Sequence, residues 1–270
     1  MAAIVRLPRP WIGALGLIMI ATHNLLDTIN PASFGKLSWL WVLLHSPGSI
    51  PLTAHFSFSA RYVLIPWVGV MAAGFGFGDL LLRPDRRKWL LILGILMTAL
   101  FFVFRGINLY GNGVPVPFGY QRSVGPWSTQ SSFSLTAISF FNTRKYPPSL
   151  DYLLMTLGPS LILLGLFDRA KAERGLSRVF LVFGRVPLFY YLLHIYVIHF
   201  LAILVSFAFH QPVWHGTIIA DNAQKPLGYG HGLPFIYAMW ILAVASLYLP
   251  CRWFMEFRSR HRDWNWLSYL

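Results

Sequence analysis

The residues of this chain that could do chemistry are polar side chains set inside long apolar runs. Arg185 stands in Phe183-Gly184-Arg185-Val186-Pro187-Leu188-Phe189-Tyr190-Tyr191-Leu192-Leu193-His194, and an unpaired guanidinium at membrane depth costs at least ~2.5 kcal/mol. It needs a partner or an anion. A guanidinium near the membrane surface suits the phosphates of a cofactor, which it binds bidentately, and a side chain that snorkels to the headgroups meets the same need. His194 follows Tyr190 and Tyr191 by four and three positions, so one helical face offers an imidazole and phenols. That set reads as a general base with an orienting hydrogen bond, or as a buried histidine satisfied by a neighbouring helix. His199 lies about 140° further around the helix, away from that face.

His23 and Asp27 have the i, i+4 spacing with which a carboxylate fixes the tautomer of an imidazole. The same pair could simply end a helix by hydrogen bonding to its orphan carbonyls, through the imidazole N–H, or to water. Arg105 and Asn108 follow one apolar run; Asn142, Thr143, Lys145 and Tyr146 precede Pro147-Pro148-Ser149-Leu150 at the start of another. Cations and amides there could hold a sugar or an acyl carbonyl, or serve only as a helix entrance, with Ser149 as cap and Asp151 either paired with Lys145 or acting as a first-turn acid. His210, His215 and His231 are scattered and carry no assigned role. Cys251 is the single cysteine and no Cys/His group has zinc-ligand spacing, so neither a disulfide nor a metal is expected.

What must position these residues is a membrane bundle. Hydrophobic residues make up 56% of the 270, aromatics 17% and charged residues 11%, where a soluble domain carries about a quarter charged residues. The net charge of +13 is spread in short clusters between apolar runs, which excludes the continuous basic stripe of a nucleic-acid binder. The runs are long and do not alternate, so helices are expected and a barrel is not. The fold class is all-α integral membrane, a single polytopic domain over 1–270 with about six transmembrane helices at about 11–26, 62–82, 89–104, 150–167, 186–209 and 233–249. The first and third are short, and Pro187 splits the fifth apolar stretch, 179–209, into an interfacial piece and a true span.

Orientation follows from Lys and Arg. With both termini cytoplasmic, fourteen basic residues lie inside and seven outside, the sense of the positive-inside rule. No small-residue cleavage pattern follows the first apolar run, so a signal peptide is not expected. Two long extracytoplasmic loops result. Residues 27–60 contain Trp39, Trp41, His45 and His55; residues 105–149 contain Gly111, Gly113, Pro115, Pro117, Gly119, Tyr120 and Trp127. Loops of that length in a compact bundle are functional or disordered, and their aromatics argue for order at the membrane interface.

Several segments together point to a family: His23-Asn24-Leu25-Leu26-Asp27, Ile65-Pro66-Trp67-Val68-Gly69-Val70-Met71, Phe140-Phe141-Asn142-Thr143-Arg144-Lys145-Tyr146-Pro147-Pro148-Ser149-Leu150, Gly184 to His194, Cys251-Arg252-Trp253 and Trp266-Leu267-Ser268-Tyr269-Leu270. In this order, over nearly the whole chain, they resemble bacterial multi-pass proteins related to the heparan-alpha-glucosaminide N-acetyltransferase catalytic domain. The resemblance implies a bacterial inner-membrane acyltransferase that passes an acyl group, typically acetyl, from cytoplasmic acetyl-CoA to a sugar or glycan outside. It implies acetyl-CoA as donor substrate and partners limited to the lipid bilayer and the acceptor, with no nucleic acid and a homo-oligomer left open.

With that chemistry, Arg185 is the cofactor-binding residue, and Arg105, Asn108, Asn142, Lys145 and Tyr146 hold the substrate. His194, Tyr191, His23 and Asp27 are the acid/base candidates. The chain departs from the family at its front: nothing matches the preceding helices with their Asp-Arg-Gly-like element, so the family's catalytic histidine is assigned to neither His23 nor His194, and a shortened chain or fragment is expected. A non-catalytic scaffold and a glycan or lipid transporter are the competing classes; the second is disfavoured by the lack of a repeated half.

Overall fold

The computed structural model describes residues 6–53, 56–108, 110–111, 127–169, 175–210, 230–261, 263–264 and 267, without the side chains of Thr129 and Leu176. His55, Gly113, Pro115, Pro117, Gly119, Tyr120, His215 and most of the closing Trp266 to Leu270 segment lie outside the described residues. Five helices are long and apolar enough to cross a membrane: α3 (Leu64–Leu81), α4 (Arg86–Ile107), α6 (Leu150–Phe167), α8 (Pro187–Ala208) and α9 (Leu233–Arg260). A sixth is counted if the bent pair Arg9–Thr28 and Pro31–Leu44 is one span. The shorter elements are α1 (Arg9–Thr22), α2 (Ser38–Leu44), α5 (Phe133–Phe141), α7 (Leu176–Arg185) and the strands β1 (Gly48–Pro51) and β2 (Ser57–Ala60).

The first span differs most from expectation. Instead of one straight helix over 11–26, α1 passes at His23 into a 3-10 helix, His23–Thr28, and the chain then bends by 95° into Pro31–Leu44. Asn30 and Pro31 cause the turn. The Asn30 side chain accepts the Ala32 N–H at 2.9 Å, and Pro31 has no N–H to continue the preceding helix. Beyond α2, the first long loop folds into an antiparallel hairpin in which Gly48 pairs with Ala60 and Pro51 with Ser57. The chain is therefore mostly helical, with these two strands among the described residues.

By its contacts the chain divides into two compact units, 1–170 and 171–270. In the first, α1 packs on α3 and α4 on α6. Lipid tails are as apolar as leucine, so helices there associate by close approach, which small residues permit. A Cβ on Gly16 would meet the backbone of α3 at 2.3 Å from Ala73 N, and one on Gly94 would meet the Gly158 carbonyl of α6 at 2.8 Å. Gly16→Val is accordingly expected to cost about 1–3 kcal/mol, read as a lowered unfolding midpoint in detergent, whereas Gly74→Val, with nothing within 4 Å, leaves the midpoint in place. Equal midpoints would show that the α1–α3 seam is looser than this.

One end of this unit gathers charge. Arg9 at the start of α1 pairs with Asp79 near the end of α3, and Arg86 at the start of α4 holds Asp168 after α6 at 2.7 Å. At the opposite end, α1 stops, α4 stops and α6 starts, and the buried polar side chains of the unit collect there.

In the second unit, Val186 (φ −132, ψ 51) separates α7 from α8 just before Pro187, because proline removes an N–H and crowds the residue before it. Its core is Val182, Val186, Cys251, Phe254 and Leu267, with Phe189 stacked on Phe254 at 4.1 Å. Cys251 is buried there as a small apolar side chain. Along α8, Leu188, Leu192, Ile198, Phe200 and Leu204 are exposed, an apolar surface far larger than water tolerates and natural to lipid.

Candidate functional site

A cluster of buried polar groups lies where the bent first span meets the start of α6. Asp27, on the 3-10 turn, is its centre. Its Oδ1 takes a hydrogen bond from His45 Nε2 at 2.9 Å, and its Oδ2 accepts from Asn24 Nδ2 at 2.9 Å and from Arg144 Nη2 at 2.6 Å. Asn24 bridges to α6, its Oδ1 accepting the Leu150 N–H at 3.0 Å. Ser149 caps that helix by accepting the Tyr152 N–H at 3.1 Å. The loop that carries Arg144 is closed by the Ser149 N–H donating to the Arg144 carbonyl at 2.9 Å. Burial pushes the Arg144 pKa down, and the charge of Asp27 opposes that fall.

The carboxylate orients His45, not His23 as the i, i+4 spacing suggested. His23–Thr28 is a 3-10 helix, and at three residues per turn positions i and i+4 are about 120° apart instead of on one face. His45, the C-cap of α2, is brought to Asp27 by the bend. With Nε2–H donated to the carboxylate, a neutral His45 has a bare Nδ1, and that atom is buried without a hydrogen-bond partner among the described residues. His23 packs edge-on to it with ring centroids 5.8 Å apart. Both of its ring nitrogens are likewise unpartnered among the described residues, with the Pro148 carbonyl nearby outside hydrogen-bond geometry. His23 and His45 each expose 1% of their surface.

Beside the cluster in sequence, Lys145 Nζ sits 5.2 Å from the Tyr146 ring centroid, and the Tyr146 hydroxyl meets that of Tyr62 at 3.1 Å. Tyr62 and then Lys145 pull the Tyr146 phenol below its usual pKa. This exposed pair of phenols and an ammonium is the polar edge next to the buried dyad.

Arg105 and Asn108 serve the backbone. Arg105 is 0% exposed; its Nε and Nη2 donate to the Phe140 and Ser139 carbonyls at 2.7 Å each, and Nη2 reaches the Asn142 carbonyl at 3.4 Å. A guanidinium there satisfies the orphan carbonyls of α5 and faces the negative end of its dipole. Asn108 ends α4 in the left-handed conformation (φ 55). Asp151 donates its N–H to the Gly111 carbonyl at 2.7 Å, and both carboxylate oxygens lack hydrogen-bond partners among the described residues.

The remaining sequence candidates are in the second unit. His194 bonds the Tyr191 carbonyl of its own helix and stacks on Tyr190, while Tyr191 is exposed. Arg185 closes α7 and lines a cleft of about 360 Å³ with Arg258, Ser259, His261, Trp264 and Leu267. Arg258 Nη1 donates to the Arg185 carbonyl at 3.0 Å, which fixes the Arg258 guanidinium against the backbone at the end of α7.

The chain matches no known family, curated protein or solved structure. Sequence reasoning missed His45 and Arg144 as members of the buried cluster: His45 is 18 positions from Asp27 and Arg144 is 117. Only the bend after Thr28 and the return of α6 join them.

Proposed function

We propose that this protein is a multi-pass acyltransferase of the bacterial inner membrane, with both termini cytoplasmic, that passes an acetyl-type group from cytoplasmic acyl-CoA to an extracytoplasmic sugar or glycan. The observation that carries the reading is the buried Asp27–His45 pair with its bare Nδ1. A carboxylate that accepts from one ring nitrogen fixes the tautomer and raises the basicity of the other. His45 Nδ1 takes the proton from an acceptor hydroxyl or amine as its oxygen or nitrogen attacks the thioester carbon; the C–S bond breaks and the thiolate leaves. Asp27, held by Arg144 and Asn24, stabilises the imidazolium that forms. Lys145, Tyr146 and Tyr62 offer polar contacts for the acceptor, and the resemblance of the Lys145 to Ser149 segment supports the same class.

Within the second unit taken by itself, the cleft lined by Arg185 and Arg258 is the candidate for binding donor phosphates, which suit guanidinium groups. Arg185→Ala and Arg258→Ala are expected to raise KM for acetyl-CoA by roughly ten- to a hundred-fold, the loss of about 1.5–3 kcal/mol per charged hydrogen bond, with kcat little changed. The test of the whole reading is transfer from radiolabelled acetyl-CoA to a panel of glycan and lipid-sugar acceptors by the purified chain in liposomes. Label on an acceptor, lost in a folded His45→Gln protein, supports it; no label on any acceptor, from protein that binds acetyl-CoA, turns the reading toward a scaffold.

A further inference from the structure

We propose that His23, Asp27 and His45 form a three-ligand site for a divalent transition-metal ion, with Zn2+ as the best fit. One ligand atom from each residue lies within 4.8 Å of the others, and all three residues are buried. The tightest pair, His45 Nε2 and Asp27 Oδ1, is 2.9 Å apart. A tetrahedral ion with bonds of about 2.0–2.2 Å holds its ligands roughly 3.4 Å apart, so the Asp27–His45 pair opens slightly and the His23 ring swings inward.

Three observations beyond the proximity point to an ion. Both nitrogens of His23 are buried without a hydrogen-bond partner among the described residues, an expensive state that a metal bond relieves. The Pro148 carbonyl lies on hand for the remaining ring N–H of a metal-bound His23, the usual outer partner of a ligating imidazole. The far oxygen of Asp27 is already fixed by Asn24 and Arg144, as ligating carboxylates generally are. Two imidazoles and one carboxylate select zinc-like ions over Mg2+ and Ca2+, which take oxygen. Three protein ligands leave a fourth position open. The Arg144 charge beside the carboxylate weakens the hold on a cation, so binding is reversible.

For activity, this inference rests on the acyltransferase reading. An ion on His45 Nε2 displaces the bond to Asp27 and leaves the proton on Nδ1, while an ion on Nδ1 occupies the base outright. Zn2+ occupancy and proton abstraction by His45 therefore exclude each other, and the ion acts as a reversible inhibitor of the same site.

The test is a Co2+ titration of the purified, chelator-stripped full chain in nanodiscs, followed by visible absorption, with Zn2+ as competitor. One equivalent of Co2+ is expected to bind and to be displaced by Zn2+. His23→Ala and His45→Ala are each expected to lose affinity by at least about a hundred-fold, and Asn24→Ala, one shell out, by about ten-fold; His199→Ala, whose ring bonds the Ile195 carbonyl, is expected to bind as wild type does. If a histidine variant fails to fold, zinc-edge X-ray absorption of the wild-type chain decides, with two imidazole ligands expected. No saturable binding, binding unchanged in the folded histidine variants, or a shell of water oxygens means an adventitious ion only and overturns the site. Acetyl transfer in the same preparation separates the two readings: binding without transfer sinks the acyltransferase and leaves the metal site, transfer without binding does the reverse, and transfer that persists at saturating Zn2+ refutes the inhibition.

Discussion

His45→Gln is expected to lower acetyl transfer by about 10²–10⁴-fold, the usual contribution of a positioned general base, in a protein whose folded fraction is unchanged. Glutamine retains an N–H that can donate to Asp27 and so keeps the carboxylate satisfied, but it has no basic nitrogen to take a proton. KM for acetyl-CoA should hardly move if, as proposed above, the donor phosphates are held at the cleft lined by Arg185 and Arg258. His194→Gln provides the contrast: its ring is engaged with the Tyr191 carbonyl, and its rate is expected to stay at the wild-type level. Steady-state kinetics on the three proteins distinguishes the bases. A wild-type rate in folded His45→Gln removes the Asp27–His45 pair from the chemistry, and a large loss in His194→Gln moves the base to α8.

The long apolar runs made the helices legible, because a span must be continuous and roughly twenty residues long wherever lipid surrounds it. The break before Pro187 was legible for the same local reason, since proline acts on the chain where it stands. The first span was not. Its run was read to residue 26, yet α1 ends at Thr22 and the next six residues wind as a 3-10 helix. Hydrophobicity does not tell a 3-10 turn from an α-helical one, and the change alone separates His23 from Asp27 around the axis. The strands at Gly48–Pro51 and Ser57–Ala60 are four residues each, too short to show a period.

The site was half legible. His23 and Asp27 were singled out because polar residues near the end of an apolar run need a reason to be there. His45 was seen only as one more residue of an aromatic loop, and Arg144 only as an outside positive charge. Nothing local distinguishes them, since their burial comes from a bend at Asn30-Pro31 and from the packing of the loop before α6. A usable signal existed in principle: Arg144 stands at the mouth of an apolar helix, where a cation is costly without an anion, and Asp27 is one of only nine acidic residues in the chain.

That scarcity makes Asp27 the residue whose loss should hurt the fold most. Its side chain is 3% exposed and faces Arg144 at 8%, and it also holds His45 and Asn24. Removing one member of a buried ion pair leaves the other charged and poorly solvated, at a cost of about 3–5 kcal/mol, whereas replacing both with apolar groups of similar size is close to neutral. Asp27→Ala is therefore expected to lose about that much, read as a fall in the denaturation midpoint in detergent. Asp27→Leu combined with Arg144→Met should recover most of it, because two residues in contact do not contribute independently. Recovery of stability without recovery of transfer separates the two duties of Asp27, one to neutralise Arg144 and the other to orient His45. A loss within about 1 kcal/mol for Asp27→Ala alone, the range of a solvated surface pair, contradicts a sealed cluster, and with it the burial that leaves the imidazole nitrogens of His23 and His45 Nδ1 without hydrogen-bond partners among the described residues.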